Sequence, residues 1–284
     1  MPELPEVETI ARALRPQLLS RVFVGIQVLW ERTVDRPDVS TFCATLTGAQ
    51  VVGVARRGKY ITMRLDAGQT LLTHLRMTGK LLIHPTRPQD TPIPDDDSHA
   101  RVLFQLDDGR RLVFSDTRKF GRMYLVNDPL EVLSGLGPEP LSADLDSERL
   151  AHMLAGRRGR IKPLLLNQRF LAGLGNIYTD EALWRAKIHP LRNAGALTAD
   201  ETLCLYTSIV SVLREALEDG GTSLSDNQYR RPDGRTGAHQ ATLAVYGRAG
   251  QACPRCSATI ERIVVGQRGT HFCPMCQPVH HPTL

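Results

Sequence analysis

The sequence predicts an α+β multidomain protein: an N-terminal helix with an antiparallel β-sandwich, followed by a helical domain that ends in a four-cysteine β-hairpin. Three observations support this architecture. Short runs rich in β-branched residues fill the chain to about residue 130, and a helical pattern of apolar residues covers about 145–220. Four of the six cysteines crowd into the C-terminal segment that starts at Cys253.

Composition limits the class of protein. The 284 residues are 42% hydrophobic, enough for two domains or for two with a small appendage, and no segment is apolar and long enough to span a membrane. The start MPELPEVET has neither the basic nor the apolar region of a secretory signal. A net charge of +5 and a pI near 9.0 favour a polyanionic partner, although many basic proteins bind none.

The first predicted domain, residues 1–133, begins with a helix and continues as strands. Apolar residues recur at helical spacing over 4–18, with Glu3, Pro5 and Glu6 in the first turn, where acids and proline are favoured. Many short strands separated by glycine and aspartate favour an antiparallel sandwich. Strands are predicted within 22–26, 50–52, 60–63, 71–72, 80–83, 102–104 and 111–114, with a solvated loop over 85–97 and a hairpin turn at 107–109.

A glycine- and proline-rich linker over 134–145 separates this domain from a helical one at 146–236. In its last helix, Thr198 and Glu201 have the spacing of a capping box. A glycine-rich turn over 172–177 leads into another helix. The remaining residues, 237–284, form the cysteine domain. The helices are predicted at 147–154, 161–168, 177–186 and 199–218.

The cysteine domain has the spacing of a metal site. Cys253 and Cys256 form one Cys-x-x-Cys pair, and Cys273 and Cys276 form a second pair after a segment that suits a β-hairpin. Four thiolates around one ion are typical of a single structural Zn²⁺ that does no chemistry; a redox pair or free thiols are the alternative. Arg268 would lie at the hairpin tip, in the turn 266–269. Such pairs in a chain without a secretory signal indicate a reducing, cytosolic compartment.

The amino terminus offers a nucleophile. Removal of Met1 would expose the secondary amine of Pro2, and an α-amino group with a pKa of about 7.7–8.0 is partly neutral near pH 7. Such an amine can attack an electrophilic carbon and form a Schiff base. Glu3 and Glu6, within one helical turn, can donate or accept protons. From the residues alone, an ordinary helix N-terminus explains the same pattern.

The start Pro2-Glu-Leu-Pro-Glu-Val-Glu8 resembles the signature of the formamidopyrimidine-DNA glycosylases, bacterial enzymes that excise 8-oxoguanine and ring-opened purines. The resemblance spans the whole chain. The sister family, endonuclease VIII, shares the fold and the nucleophile, but its members usually begin Pro-Glu-Gly-Pro-Glu. Leu4 and the motif at 116–121 therefore favour the purine-directed branch. Further motifs follow in family order at 57–59, 74–79, 116–121, 168–178, 220–224, 245–248 and 269–274.

The resemblance implies a base excision repair enzyme, both DNA glycosylase and AP lyase, that acts on damaged double-stranded DNA by β,δ-elimination through a Schiff base. Pro2 would supply the amine and Glu3 the acid/base, with Glu6 in support. Lys59 resembles the family's proton donor in β-elimination. Arg268 resembles the zinc-hairpin arginine that holds phosphate and is linked to δ-elimination. We expect a cytoplasmic, nucleoid-associated monomer without membrane contact or small-molecule cofactor.

The resemblance also implies a wedge, because a base flipped out of the duplex leaves a hole in the stack. Met77, Arg118 and Phe120 match the family's wedge, and Arg118 would read the orphaned partner base. Some relatives have a glutamate after the wedge methionine, whereas this chain has Thr78. The chain therefore departs from those relatives at one position near the base.

Other positions resemble family residues that face the DNA backbone. Asn176 resembles the phosphate ligand of the helix–two-turn–helix domain, in agreement with the affinity of helix N-termini for anions. The loop at about 222–236 resembles the flexible lid over the extruded base. The remaining backbone-facing positions are His74, His99, Arg157, Arg160 and Lys162.

Two other functions compete with the repair enzyme. A non-enzymatic DNA-binding module with a zinc ribbon explains the charge and the cysteines, but not Pro2, Glu3 and the wedge together. A glycosylase without lyase action is the lesser alternative. Borohydride trapping on an oxidised duplex distinguishes an enzyme from a binding module, because a binding module forms no covalent adduct.

Overall fold

The computed structural model describes residues 1–85, 98–223 and 229–279. The chain divides into two compact units: residues 1–134 with 219–240, and residues 135–218 with 241–284. The expected loop over 85–97 lies outside the described residues from 86 onward, and so do 224–228 of the expected lid. None of the described helices is long and apolar enough to cross a membrane.

The first unit contains an antiparallel sandwich, as the sequence predicted. Its strands are β1 (Phe23–Val28), β2 (Val34–Arg36), β3 (Val51–Arg57), β4 (Tyr60–Leu65), β5 (Thr70–His74), β6 (Gly79–His84), β7 (Ala100–Leu106), β8 (Arg111–Asp116) and β9 (Arg122–Val126). One sheet has the order β1-β7-β8-β6 and the other β2-β9-β5-β4-β3. Among the described strand pairs, only the short β2–β9 pair is parallel. The apolar core contains inward-facing residues of both sheets.

Three helices accompany the sandwich: α1 (Leu4–Leu18), α2 (Val39–Leu46) and α3 (Leu130–Leu133). Helix α1 packs against β3 and β4, and buries an apolar stripe at helical spacing. Helix α2 was not predicted. Asp38 caps it by accepting the Thr41 N–H at 3.0 Å. Because the helix is only 8 residues long and rich in β-branched residues, its sequence carries a weak helical signal.

The second unit is helical and ends in the predicted hairpin. Its elements are α4 (Ser147–Leu154), α5 (Ile161–Leu166), α6 (Asn176–Arg185), α7 (Ala199–Glu218), β10 (Glu261–Val265) and β11 (Arg268–Phe272). The capping box of α7 is present, since Thr198 and Glu201 exchange hydrogen bonds of 2.8 and 3.1 Å. The hairpin turns at Gly266 and Gln267, both at positive φ, so Arg268 is the first residue of β11 rather than part of a four-residue turn.

Residues 219–240 group with the first unit, whereas the sequence placed 222–236 in the helical domain. Two contacts explain the grouping. The Thr222 N–H donates to the Glu6 carboxylate at 2.8 Å, and Tyr229 is buried among the apolar residues of the sandwich. Glu6 and Thr222 lie more than 200 residues apart in the chain, and sequence patterns do not reveal contacts over such a separation.

Candidate active site and nucleic-acid interface

The N-terminus of α1 brings two carboxylates beside Pro2. Glu3 is 3% exposed and Glu6 is 2% exposed, and Pro2 is also buried. The Glu3 N–H donates to Glu6 Oε2 at 2.8 Å, and Glu6 Oε1 accepts the Thr222 N–H at 2.8 Å. Glu3 is the N-cap residue, so its carboxylate lies at the positive end of the helix dipole. Glu6 is thus fixed by two backbone amides, and Glu3 is the acid adjacent to Pro2.

The Pro2 nitrogen is an amide while Met1 precedes it, and an amide nitrogen has no nucleophilic lone pair. Only after removal of Met1 does this nitrogen become a secondary amine. Met1 is 44% exposed, whereas the residues that follow it are buried. The N-terminal residue is therefore accessible at the point where the chain enters the cluster of carboxylates.

Lys59 and His74 lie at one end of the β4–β5 ladder, since Tyr60, next to Lys59, is opposite His74. Both side chains are buried. Burial, and then the positive charges of Arg76 and Lys59, lower the pKa of His74 to about 3. His74 Nδ1 accepts the Arg76 N–H at 3.0 Å, which leaves the proton of the neutral ring on Nε2. His74 is therefore a neutral hydrogen-bond donor at physiological pH.

The three residues expected to form a wedge come from two turns, 75–78 after β5 and 117–120 between β8 and β9; we call these the wedge turns. Phe120 is 48% exposed, and the Arg118 guanidinium lies 4.9 Å from its ring centroid. Met77 is half-buried. An exposed aromatic ring beside a guanidinium is suited to stacking on nucleic-acid bases.

A buried hydrogen-bond network connects the wedge turns. The Thr78 hydroxyl donates to Asp116 Oδ1 and accepts the Arg118 N–H at 3.1 Å. Asp116 Oδ1 also accepts the Arg118 N–H at 3.2 Å, and Oδ2 accepts the Gly121 N–H at 2.7 Å. The sequence analysis assigned no role to Asp116. Its pairing with Thr78 depends on sheet register, which sequence spacing does not reveal.

Three of the other residues expected to face the DNA backbone are exposed. His99 lines an open cavity of about 360 Å³ together with Lys80 and Arg230. The Arg157 guanidinium lies 5.7 Å from a phenylalanine ring, and Arg160 is the N-cap residue of α5. These three side chains are accessible to an anionic partner.

Lys162 was expected to face the DNA backbone, but the structure buries its side chain. Its side chain is 0% exposed, and its Nζ lies 2.6 Å from Asp180 Oδ1, 2.8 Å from Thr270 Oγ1 and 3.3 Å from the Gly269 carbonyl. A lysine ammonium has three N–H donors, and these three acceptors can use all of them. Lys162 therefore holds the β11 hairpin onto α6 and has no donor left for a phosphate.

Asn176 and Arg268, the two expected phosphate contacts of the second unit, are linked through the same hairpin. Asn176 is the first residue of α6, and its Nδ2 donates to the Gly269 carbonyl at 2.9 Å. Gly269 directly follows Arg268, whose side chain is exposed. Two residues after Gly269, the His271 N–H donates to Asp180 Oδ2 at 2.9 Å. Helix α6 thus fixes the backbone that carries Arg268.

Glu181 is a second buried acid of α6 that the sequence analysis missed. Its carboxylate accepts three backbone amides, those of Ala244, Val245 and Tyr246, at 2.8–2.9 Å. The carboxylate thereby fastens the segment before the cysteine hairpin to α6. A glutamate beside an aspartate in a helix usually indicates a solvated face, so this role could not be inferred from its position.

The four cysteines meet as predicted. Their sulfur atoms all lie within 4.8 Å of one another, with Cys256 Sγ 3.5 Å from both Cys273 Sγ and Cys276 Sγ. Zn–S bonds of about 2.3 Å in a tetrahedron place sulfurs about 3.8 Å apart, so the cluster fits one Zn²⁺. The Trp184 indole N–H donates to Cys253 Sγ at 3.4 Å, an outer-sphere contact that orients a thiolate ligand. With four sulfur ligands the ion is closed to substrate and is structural.

Family models cover most of the chain in three segments. The formamidopyrimidine-DNA glycosylase N-terminal domain matches residues 1–123, and the formamidopyrimidine-DNA glycosylase H2TH domain matches 136–228. A zinc finger found in FPG and IleRS matches 250–279. The last match supports the assignment of Zn²⁺ to the cysteine cluster.

Known proteins resemble the chain over its whole length. A formamidopyrimidine-DNA glycosylase of Chloroflexus aggregans is 48% identical over 280 residues, which cover 98% of each chain. The crystal structure of the MutM (Fpg) protein of Thermus thermophilus matches with a TM-score of 0.87 at 42% identity, covering 99% of this chain and 100% of that one. Lactococcus lactis Fpg in complex with DNA containing an abasic site matches with a TM-score of 0.88 at 36% identity, covering 97% and 99%.

Proposed function

The chain belongs to the formamidopyrimidine-DNA glycosylase family, and we propose that it excises oxidised purines from duplex DNA through a Schiff base on Pro2. Family membership makes it a base excision repair DNA glycosylase with AP lyase activity. The similarity to a protein solved with abasic-site DNA supports damaged DNA as its partner. We assign 8-oxoguanine and formamidopyrimidines as substrates, and we assign the roles of individual residues below.

One observation carries the residue assignments: a buried Pro2 lies beside two buried carboxylates, one of which is fixed by two backbone amides. Glu6, with both oxygens used, is a support. Glu3, the N-cap residue of α1 and the neighbour of Pro2, is the group placed to move a proton at the reacting sugar. The cluster provides a nucleophile and an acid/base within one turn of helix.

In the first step the Pro2 amine attacks C1′ and the C1′–N9 bond breaks. The proton that the amine loses goes to the departing base. Glu3 donates a proton to the sugar ring oxygen as the ring opens, which gives an iminium between C1′ and the proline nitrogen. Base loss needs this acid assistance, because C1′ of an intact nucleotide is a poor electrophile.

Two eliminations follow from the iminium. Loss of a C2′ proton breaks the C3′–O bond and releases the 3′ phosphate, with Lys59 as the proton donor to the departing group. In a second elimination, loss of the C4′ proton breaks the C5′–O bond and releases the 5′ phosphate, assisted by Arg268 at that phosphate. Water then hydrolyses the remaining iminium and returns the free amine. Zn²⁺ contributes by holding the hairpin that carries Arg268 and takes no part in bond making.

We assign DNA-contacting residues to both units. Met77, Arg118 and Phe120 fill the space of the extruded base, and His74, His99, Arg157, Arg160 and Asn176 contact the backbone. Lys162 acts only through the hairpin that it holds. The enzyme works as a monomer associated with the nucleoid, where duplex DNA is concentrated, and needs no small-molecule cofactor.

Borohydride trapping tests the nucleophile. Protein whose Met1 has been removed, as verified by intact mass, is incubated with an 8-oxoguanine duplex and sodium borohydride. We expect a stable protein–DNA adduct whose DNA-linked peptide begins at Pro2. A matched protein with an uncleaved N-terminal tag should bind the duplex but form no adduct. An adduct of equal yield with the tagged protein would disprove the role of Pro2.

A further inference from the structure

Both wedge turns contain a non-glycine residue in the left-handed backbone region. Arg76 has φ of 53° and Lys119 has φ of 60°. This conformation is unfavourable for a residue with a side chain and persists only where surrounding contacts fix it. The two residues flank the wedge: Arg76 precedes Met77, and Lys119 lies between Arg118 and Phe120. The wedge is therefore presented by backbone that requires support.

The support is local and buried. Thr78 is 5% exposed and Asp116 is 1% exposed, so both lie beneath the turns rather than on the DNA-facing surface. The Gly79 N–H donates to the Leu75 carbonyl at 2.9 Å and closes the first turn. In the second turn, a Cβ at Gly121 would lie 2.3 Å from Phe114, so this turn is packed tightly against β8.

The Thr78 hydroxyl joins the two turns. It donates a hydrogen bond to Asp116 and accepts one from the Arg118 N–H, while Asp116 also accepts one from the Gly121 N–H. The carboxylate thus holds both ends of the segment 118–121 that carries Arg118 and Phe120. Thr78, the residue after Met77, ties this segment to the first turn.

We propose that Thr78, through Asp116, is a positioning residue that fixes Met77, Arg118 and Phe120 as one preformed wedge. The proposal rests on the wedge role assigned under the proposed function. Thr78 touches neither base nor sugar, because its side chain is buried and its hydroxyl is occupied. It determines how fast the duplex is opened and how the partner base is read, and it leaves the chemistry at Pro2 unchanged.

Thr78→Val tests this role, because valine keeps the branched shape and removes the hydroxyl. Loss of one buried hydrogen bond corresponds to about a tenfold change in rate, so we expect single-turnover excision from an 8-oxoguanine duplex to fall about tenfold. Cleavage of a single-stranded abasic site should stay within about twofold, since it needs no wedge. The ratio of excision rates opposite cytosine and opposite adenine should also fall.

Two matched variants control for packing. Thr78→Ser keeps a hydroxyl at this position and should retain the wild-type rate and the wild-type opposite-base ratio. Thr73→Val removes a buried hydroxyl that has no hydrogen-bond partner among the described residues, and should behave as wild type. The proposal is overturned if Thr78→Val excises as fast as wild type, or if Thr78→Ser is as slow as Thr78→Val. It is also overturned if the activity of Thr78→Val falls by the same factor on both substrates.

Amide hydrogen exchange measured on the full chain tests the network without catalysis. Thr78→Val should speed exchange in the peptide that contains Arg118 and Gly121, and Thr73→Val should not. Unchanged protection in Thr78→Val would overturn the proposal. Failure of the wild type to excise 8-oxoguanine would instead refute the proposed function, and hydrogen exchange would still decide the role of Thr78.

Discussion

The two units place their functional side chains in different ways. In the first unit, the wedge turns 75–78 and 117–120 are held by short hydrogen bonds around one carboxylate, and they contain two left-handed residues. In the second unit, Arg268 is carried by a regular hairpin. That hairpin is fixed by a fully buried ion pair, by Asn176 and by four cysteines that fit Zn²⁺.

The difference shows what each surface needs. A wedge that replaces a base must keep apolar and aromatic groups exposed, so its support lies underneath in a small polar network. A phosphate-holding arginine needs only a rigid backbone, which a metal site and a buried charge pair provide. The second unit should therefore be sensitive to charge and metal, and the first to single hydroxyl groups and to pH.

The largest expected effect is loss of the metal. Cys253→Ser removes one of four thiolates, and structural zinc contributes about 10–16 kcal/mol of apparent binding free energy in small zinc domains. We expect zinc content to fall well below one ion per chain, with weaker binding to abasic-site duplex. Cys204→Ser, at an exposed thiol outside the cluster, should retain the ion. Full zinc content in Cys253→Ser would contradict the assignment.

Lys162→Ala should have the next largest effect. It leaves the buried Asp180 carboxylate without its cation, which typically costs about 3–5 kcal/mol of stability. The melting transition of the second unit measures this loss. Arg158→Ala, at an exposed cation of the same unit, should change stability by less than about 0.5 kcal/mol. If the two variants melt alike, the buried pair does not stabilise the hairpin.

A smaller effect concerns His74 and pH. Its folded pKa of about 3 lies below the value of about 6.5 expected when unfolded, so acid protonates the unfolded chain first. The contribution of neutral His74 to the free energy of unfolding is fully present above about pH 6.5. It falls by up to about 1.4 kcal/mol for each pH unit as the pH is lowered towards 3. His74→Asn keeps an acceptor for the Arg76 amide but does not titrate. Its unfolding free energy relative to wild type should therefore improve between pH 7 and pH 5, and a constant difference would contradict neutral His74.

Much of the architecture could be predicted, because amphipathic periodicity and cysteine spacing are local. Helix α7 begins and ends where the sequence placed it, and the sandwich strands and the cysteine cluster are present. The missed features are long-range or weakly patterned. Helix α2 is short, and the Thr78–Asp116 and Lys162–Asp180 pairs depend on how distant elements meet. The resemblance to the family singled out Lys162 as a residue facing the DNA backbone, but only its buried position showed that it holds the hairpin.

We propose that Glu3 supplies the proton to the sugar ring oxygen that assists base loss, whereas Pro2 alone can open an abasic site. Glu3→Gln keeps the size and hydrogen-bonding capacity of the side chain but cannot exchange the catalytic proton. A pre-formed abasic site already equilibrates with an aldehyde that an amine attacks without acid assistance. Loss of a positioned acid or base costs about 10²–10⁴-fold.

The deciding measurement is a side-by-side single-turnover assay of Glu3→Gln on an 8-oxoguanine duplex and on the same duplex with an abasic site. Glu8→Gln, a partly buried acid of the same helix that pairs with Arg12 and Arg56, is the matched control. We expect Glu3→Gln nearly to abolish release of 8-oxoguanine but to keep substantial Schiff-base formation and strand cleavage at the abasic site. Equal loss on both duplexes would contradict this proposal and would move the acid/base role from Glu3 to Glu6.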